Sequence, residues 1–404
     1  MRFRTLAGLS LFLTVMLFQM GRGLSLDPSP YPLSLTLFSY FDGPIRRGLL
    51  PTLLELAGRE TLAQKAEALA LLHFAALALL ACVLGGLAAW RLKTGGMTDL
   101  RFLLLCLFVA SPVLPVLAAV NGYADPWMAL VLFAEAGLLF RGRFGQAALV
   151  MLAGVLLHEI LLVFSLPLWV VFLCRPSVPK AALAVFAGAL ILVFGHLCLA
   201  STLQPGLVPL AEQRCTDFRP ADNPLVFVWD DYCTFQMSGS LSGLFAPARL
   251  LLLPVYGMGY GVFPLLLLCI WAGLARQSGF RPALPLLIGF GLPYSLVTVA
   301  WDTDRMFVLS SVAGFLATDL WLAGNRNIPP VRPVHAGLLL CLGLLQLLLH
   351  YPAIDVYGVN RLVPPAVARS VFVDPRWWIV PVFENNGLAL PPFLKPETCI
   401  DPRC

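Results

Sequence analysis

Charge is scarce in this sequence, and its scarcity decides the class of protein. Asp, Glu, Lys and Arg make up 12% of the 404 residues, whereas soluble domains have about 25%. Hydrophobic residues make up 59%, and the mean hydropathy is +0.83. This composition excludes an ordinary soluble domain and predicts a polytopic membrane protein built from helices packed in lipid. The apolar runs are continuous rather than alternating, which argues against a transmembrane barrel.

Motifs of the common soluble enzyme classes are also missing. The sequence contains no P-loop, no Rossmann glycine pattern and no HExxH motif. It has no basic patch interleaved with aromatic residues, so we expect no nucleic-acid partner. It has no cysteine spacing typical of a zinc site and no internal repeat. The missing repeat disfavours a transporter made of inverted halves.

Basic residues in the short loops predict how the chain crosses the membrane. We predict about eleven crossings, with the N-terminus inside and the C-terminus outside. In this topology every short loop that is rich in Lys and Arg lies inside, as the positive-inside bias requires. The predicted fold is an all-α bundle over residues 1–350. It has outside loops at 21–65 and 202–242, and an outside tail at 351–404.

The predicted spans follow the long apolar segments. The third contains Pro112 and Pro115, which should kink it. One apolar segment is too long for a single helix, and we expect a break at His158 and Glu159 to divide it. The predicted spans are 5–20, 66–90, 102–120, 127–140, two short spans in 144–174, 181–201, one within 244–275 after a surface-lying piece, 282–300, 306–323 and 333–350.

The first outside loop combines both signs of charge with an amphipathic run. Asp42 stands four residues before Arg46 and Arg47, and the run Leu49 to Leu56 follows at once. An amphipathic run of this kind predicts a helix lying on the membrane surface. The remaining outside charges come from three separate segments. They are Asp125, the pair His158 and Glu159, and the group Asp302, Asp304 and Arg305.

All four charged segments map to the outer side of the membrane in this topology. We therefore predict one site there, because charged groups at membrane depth are costly and usually line a cavity. Each has a simpler interpretation. Asp42 caps a helix or pairs with Arg46, Asp125 caps a helix that begins at Pro126, and Arg305 forms an interfacial ion pair with Asp304.

The residue types predict a group transfer at the membrane surface. A carboxylate can act as general base toward a hydroxyl group. Arginines bind phosphate through paired hydrogen bonds and stabilise it as it leaves. Together they suit transfer from a polyprenyl-phosphate carrier whose tail lies between helices.

Layout and short motifs resemble the GT-C superfamily of polytopic glycosyltransferases. The segments FDGPIRRGLLPTL, LLHEILLVFSLP and DTDR are also similar to uncharacterised bacterial membrane proteins, some of which resemble EpsG-type polysaccharide polymerases. The resemblance implies that Asp42 matches the acidic residue of the first outside loop and Asp125 the second acidic motif. The second outside loop has a single Asp where the superfamily has an acidic pair, so a requirement for a divalent cation stays open.

The resemblance also implies roles for the other residues. Arg46, Arg47 and Arg305 hold the phosphate of a polyprenyl-phosphate sugar, and Asp42 and Asp125 serve catalysis. The acceptor, an outward-facing glycan, lipid or protein, or else a cation, is expected at the remaining charges: His158, Glu159, Asp302 and Asp304. The expected location is a bacterial inner membrane, with the site on the periplasmic face.

Two further functions stay open. A polysaccharide polymerase acting on lipid-diphosphate repeats would use the same arginines. A transporter or lipid flippase would place charges deep in the bundle, and Glu135, His196 and the Gly-rich and Pro-rich stretch 254–264 favour it. A structural subunit without a site would tolerate substitution of Asp42.

Ten cysteines divide between the two environments. Six lie in apolar segments, where we expect them to be small packing residues. The other four lie outside, where an oxidising compartment favours disulfides, with Cys215–Cys233 and Cys399–Cys404 as the expected pairs.

Overall fold

The fold is helical throughout the part of the chain that the computed structural model describes. That part covers 3–24, 36, 38–43, 47–119, 121–175, 178–207, 209–210, 213–214, 262–278, 284–286, 291, 293–294, 303–324 and 333–348. The predicted all-α class is confirmed, since these residues include no strand. Arg46, Asp302, the four outside cysteines and the tail 351–404 fall outside the described residues, and so does the side chain of Asp304.

Twelve α-helices are described, and several match predicted spans closely. A 3-10 turn, Gln204–Leu207, follows the ninth. The helices are α1 Phe3–Gly23, α2 Leu49–Leu56, α3 Leu62–Thr94, α4 Leu100–Ala110, α5 Val113–Ala119, α6 Asp125–Phe140, α7 Phe144–Leu157, α8 Leu161–Leu173, α9 Lys180–Leu203, α10 Val262–Ser278, α11 Thr303–Gly324 and α12 Pro333–Leu348.

Two predicted interruptions are present. The segment 144–174 breaks at His158 and Glu159, between α7 and α8. The predicted third span bends by 43° between α4 and α5, where Pro112 lacks the N–H that a continuous helix needs. Gln19 of α1 donates from Nε2 to the carbonyl oxygens of Ala110 and Ser111, at 2.8 and 3.1 Å, which satisfies backbone groups at the bend.

Helix α11 is the centre of the bundle. It packs against α4, α5, α6, α8 and α10. Of the residues in its apolar segment, 83% are buried, compared with 22% for α9 on the periphery. Phe315 of α11 stacks on Phe108 of α4, with ring centroids 4.5 Å apart. A helix with so little exposed surface fixes the positions of the residues at both of its ends.

Length and composition identify a membrane-embedded protein. Four described helices are long and apolar enough to cross a bilayer: Thr5–Gly23, Ala63–Thr94, Lys180–Leu203 and Arg305–Gly324. The bent pair α4 and α5 makes a fifth if it counts as one span. Helices α7 and α8, with 14 and 13 residues, reach only about 20 Å each. The count of eleven spans and the inside and outside assignment stay predictions.

The six described cysteines differ in exposure. All are free thiols, and only Cys106 is partly buried, while the other five lie exposed on the outer surface of the bundle. These five positions face away from the neighbouring helices, so the expected role as small packing residues stays a prediction for them. The five are Cys82, Cys174, Cys198, Cys269 and Cys341.

Candidate functional site

Five predicted site residues meet at one end of the bundle and are called the turn cluster: Arg47, Asp125, His158, Glu159 and Arg305. Arg47 donates from Nε and Nη2 to the carboxylate of Glu159, with a shortest distance of 2.8 Å. Arg47 precedes α2 and has a φ of 59°, the left-handed region that residues other than glycine seldom adopt. The loop before α2 is thereby tied to the turn between α7 and α8.

The second pair of the turn cluster joins α6 to α11. Arg305 donates from Nε and Nη2 to the two carboxylate oxygens of Asp125, at 2.5 and 2.6 Å. Asp125 is 1% exposed and Arg305 is 4% exposed, so the pair is buried. The ion pair between Arg305 and Asp304 stays a prediction, because the side chain of Asp304 lies outside the described residues. The capping interpretation of Asp125 is wrong, because the N-cap position of α6 is Ala124. The Arg305 guanidinium lies over the ring of Tyr123, 4.1 Å from its centroid.

His158 is neutral in this environment. Burial and the nearby cation of Arg47 lower the pKa of His158 to about 3, although Glu159 opposes the shift. Its Nδ1 accepts from the backbone N–H of Ile160 at 3.3 Å, which places the proton of the neutral ring on Nε2. For Glu159, burial favours the neutral acid, but the charge of Arg47 outweighs burial and lowers the pKa.

Asp42 lies in a second group, the loop cluster, made of Ser39, Asp42, Glu55, Lys65 and Arg214. Arg214 donates to both carboxylate oxygens of Asp42, at 2.6 and 2.8 Å. The backbone N–H of Ser39 also donates to Asp42, and the Ser39 hydroxyl donates to Glu55 at 2.6 Å. Burial raises the pKa of Asp42, but the hydrogen bonds from Arg214 and Ser39 outweigh burial, so the pKa lies below 3.8.

Tyr40 connects the two clusters. Its backbone N–H donates to the hydroxyl of Thr52 in α2, and its phenol donates to the carbonyl oxygen of Leu156 at 3.3 Å. Leu156 lies two residues before His158. Burial raises the pKa of Tyr40 to about 12, so the phenol stays a hydrogen-bond donor. Asp42 is therefore held close to the turn cluster without contacting its arginines.

A small cavity opens between the two arginines of the turn cluster. Its volume is about 30 Å³, and its lining includes Arg47, Tyr123, His158 and Arg305. This volume admits a water molecule, so a phosphate group enters only after a side chain moves. The side chain of Arg47 is 22% exposed and that of Arg305 is 5% exposed. Arg47 is therefore the side chain that can move.

An apolar groove of about 560 Å³ adjoins this cavity, and Leu50 and Leu157 line both spaces. It lies between α2, α3, α6 and α7, and Arg59 and Glu67 supply its only charged lining residues in the described part of the chain. The apolar lining is Leu49, Leu50, Leu53, Leu54, Ala57, Ala68, Leu71, Leu72, Trp127, Val131, Ala153 and Leu157. A small cavity that contains two arginines and lies beside an apolar groove fits an amphiphilic ligand.

The structure thus brings together five of the nine residues predicted for the site and places Asp42 nearby. The other three, Arg46, Asp302 and the side chain of Asp304, cannot be compared. Sequence reasoning missed Glu55, Lys65, Tyr123 and Arg214, because each is an ordinary loop or helix residue until a distant partner is known. Among the described residues, no three His, Cys, Asp or Glu side chains are grouped to hold a metal ion.

Comparison with known proteins adds no relative. The chain matches no protein-family model, no curated protein and no solved structure. The function is therefore argued from the site alone.

Proposed function

We propose that this protein is a membrane glycosyltransferase that uses a polyprenyl-phosphate-linked sugar. The observation that carries the proposal is that the cavity at Arg47 and Arg305 adjoins the apolar groove beside α2, with Leu50 and Leu157 lining both spaces. A lipid phosphate has a compact anionic head and a long apolar tail, and the two neighbouring spaces offer matching surroundings for the two parts.

The phosphate is expected beside the arginines of the turn cluster. Arg47 exchanges its partner Glu159 for the phosphate, because it is the more exposed arginine and its ion pair lies at the rim of the cavity. Arg305 stays on Asp125 and contributes a fixed positive charge. His158 also lines this cavity, and its neutral ring carries a proton on Nε2 as a third possible donor. Such donors stabilise the negative charge that develops on a departing phosphate.

Asp42 is proposed to act on the acceptor. Arg214 and Ser39 lower the pKa of Asp42, so its carboxylate is ionised but is a weaker base than a free carboxylate. One oxygen must leave Arg214 before it accepts a proton. In the transfer, the acceptor hydroxyl gives its proton to Asp42, its oxygen forms the new bond to the anomeric carbon, and the polyprenyl phosphate leaves with the electrons of the broken bond. The acceptor is an outward-facing glycan, lipid or protein in a bacterial inner membrane. A polymerase acting on lipid-diphosphate repeats would use the same residues.

A transporter or flippase is the second candidate, and one observation favours it. Glu135 is fully buried in α6 and accepts hydrogen bonds from Ser165 at 2.7 Å and from Trp169 at 2.6 Å. It lies about 15 Å along the helix from Asp125, within the bundle rather than at its end. Intramembrane carboxyl groups often mark ion or proton pathways.

The test compares variants in a deletion strain of the source organism at matched membrane levels. Asp42→Asn should lower the transfer rate by about 100-fold or more, with loss of surface glycan and accumulation of the lipid-linked donor. Asp99→Asn, at the opposite end of the bundle, is the control and should keep wild-type glycan. If Asp42→Asn behaves as wild type, the base assignment is wrong. If Glu135→Gln alone abolishes function, the transporter is favoured.

A further inference from the structure

A second group of charges lies at the other end of the bundle, remote from the proposed catalytic site. Asp319 of α11 accepts hydrogen bonds from Arg91 of α3 and from Arg101 of α4, at distances of 2.7 to 3.0 Å. Asp319 is 14 residues after Arg305, about 21 Å along the helix. One carboxylate is thus shared by two guanidinium groups, which leaves one positive charge in excess.

Arg175 adds a third guanidinium at this end. It follows α8 and donates from Nη2 to the carbonyl oxygen of Leu320. No carboxylate pairs with it among the residues that the structure describes, and its buried Nε has no hydrogen-bond partner there. The positive charge of Arg101 acts on it. Within the described residues, Arg175 therefore has a carbonyl oxygen as its partner but no counter-charge.

Exposed aromatic rings lie beside the same arginines. Trp90 and Phe140 meet edge to face with centroids 6.3 Å apart, and they are 42% and 44% exposed. The guanidinium of Arg91 lies 4.2 Å from the Trp90 ring centroid, and that of Arg101 lies 5.8 Å from the Phe140 ring centroid. Trp90 is an amphipathic aromatic residue of the type enriched at the level of lipid headgroups, and Phe140 adds apolar surface beside it.

The opposite-end cluster is defined as Arg91, Arg101, Arg175 and Asp319. We propose that it binds the phosphate of an anionic phospholipid, with Arg101 and Arg175 as the phosphate ligands. Arg91 is the least suited, because its side chain is 4% exposed, whereas that of Arg101, which is also bound to Asp319, is 16% exposed. Exposed Lys93 and Arg141 add positive charge nearby, while Asp99 is engaged in capping α4. The lipid would be a structural ligand of the protein, and its binding is independent of the proposed glycosyl transfer.

The test measures lipid binding to the purified full-length protein in neutral detergent by native mass spectrometry. Phosphatidylglycerol should bind more tightly than phosphatidylcholine, and Arg175→Gln should weaken phosphatidylglycerol binding roughly fivefold, as expected for one interfacial arginine. Arg143→Gln removes an exposed arginine at the same end and should leave binding unchanged. Arg175→Lys keeps the charge and should retain most of the affinity, which guards against a folding defect in Arg175→Gln.

Each outcome decides the proposal. Equal binding of the two lipids by the wild type, or equal losses in Arg175→Gln and Arg143→Gln, would overturn it, because binding would then be unspecific. Competition by millimolar inorganic phosphate would support the anion site and assign it to soluble phosphate. Failure of inorganic phosphate to compete would assign it to the lipid.

Discussion

At the scale of single residues, the turn cluster shows how burial and charge select protonation states. His158 is 6% exposed, and the charges of Arg47 and Glu159, which are bound to each other, both act on it. The charges of Asp125 and Arg305 act on it as well. Burial and the arginine dominate, so the neutral imidazole is stable in the folded protein. A neutral donor beside two arginines suits an anionic ligand, since it adds a hydrogen bond without further charge repulsion.

The low pKa of His158 predicts a loss of stability in acid. The folded pKa, about 3, lies below the ordinary value of 6.5. The stabilising contribution is therefore complete above pH 6.5 and declines as the pH falls toward 3. Between pH 6.5 and 4.5, the unfolding free energy of the wild type should fall by about 1.4 kcal/mol per pH unit more than that of His158→Gln.

Chemical unfolding in detergent micelles at several pH values measures this difference. His335→Gln removes an exposed histidine of α12 and should keep the wild-type slope. Parallel slopes for the wild type and His158→Gln would contradict the buried neutral state.

At the scale of elements, the local sequence predicted where helices break, but it did not predict which charged residues pair with each other. Pro112 lacks an N–H, and an adjacent ionisable pair is costly inside an apolar run that is too long for one helix, so the bend and the turn at His158 were foreseeable. The ion pairs Asp125–Arg305 and Asp42–Arg214 join residues 180 and 172 positions apart. Nothing local in either segment encodes such a partner, because helix packing decides which segments meet.

The bend between α4 and α5 leads to a prediction about Gln19. Gln19→Leu should lower the unfolding free energy by about 1 to 3 kcal/mol, because the carbonyl groups of Ala110 and Ser111 lose a buried donor. Thr14→Val is the control on the same helix, since the Thr14 hydroxyl makes only an exposed bond to its own helix. Equal stability of the two variants would show that the carbonyl groups at the bend find another donor.

At the scale of the whole molecule, α11 connects two charged ends through an apolar core. Arg305 lies at one end with the cavity and groove, and Asp319 lies at the other between two arginines. The proposed catalytic site therefore lies at one end of α11, and the opposite-end cluster, which joins helix ends, lies at the other. The sequence alone predicted a charged end at the turn cluster, but it did not predict that one helix carries a charge at each end.

Asp319 should matter for stability rather than for transfer. Asp319→Asn leaves Arg91 and Arg101 mostly buried without their shared carboxylate, so we expect a loss of about 3 kcal/mol or more in unfolding free energy. Asp99→Asn keeps a good capping residue at the start of α4 and should cost much less. Equal costs would mean that the opposite-end cluster does not hold the helices together.

The proposed lipid-phosphate site at the cavity and the neighbouring groove is tested most directly by crosslinking with a photoreactive polyprenyl phosphate. Purified full-length protein in micelles is labelled, and the labelled peptides are mapped. We predict label on α2 and α3 around Leu53 and Leu71, competition by unlabelled polyprenyl phosphate, and weaker labelling by the polyprenol that lacks the phosphate. Label concentrated on the exposed face of α9, at Ile191 and Phe194, or groove labelling that no competitor reduces, would contradict the lipid-phosphate site.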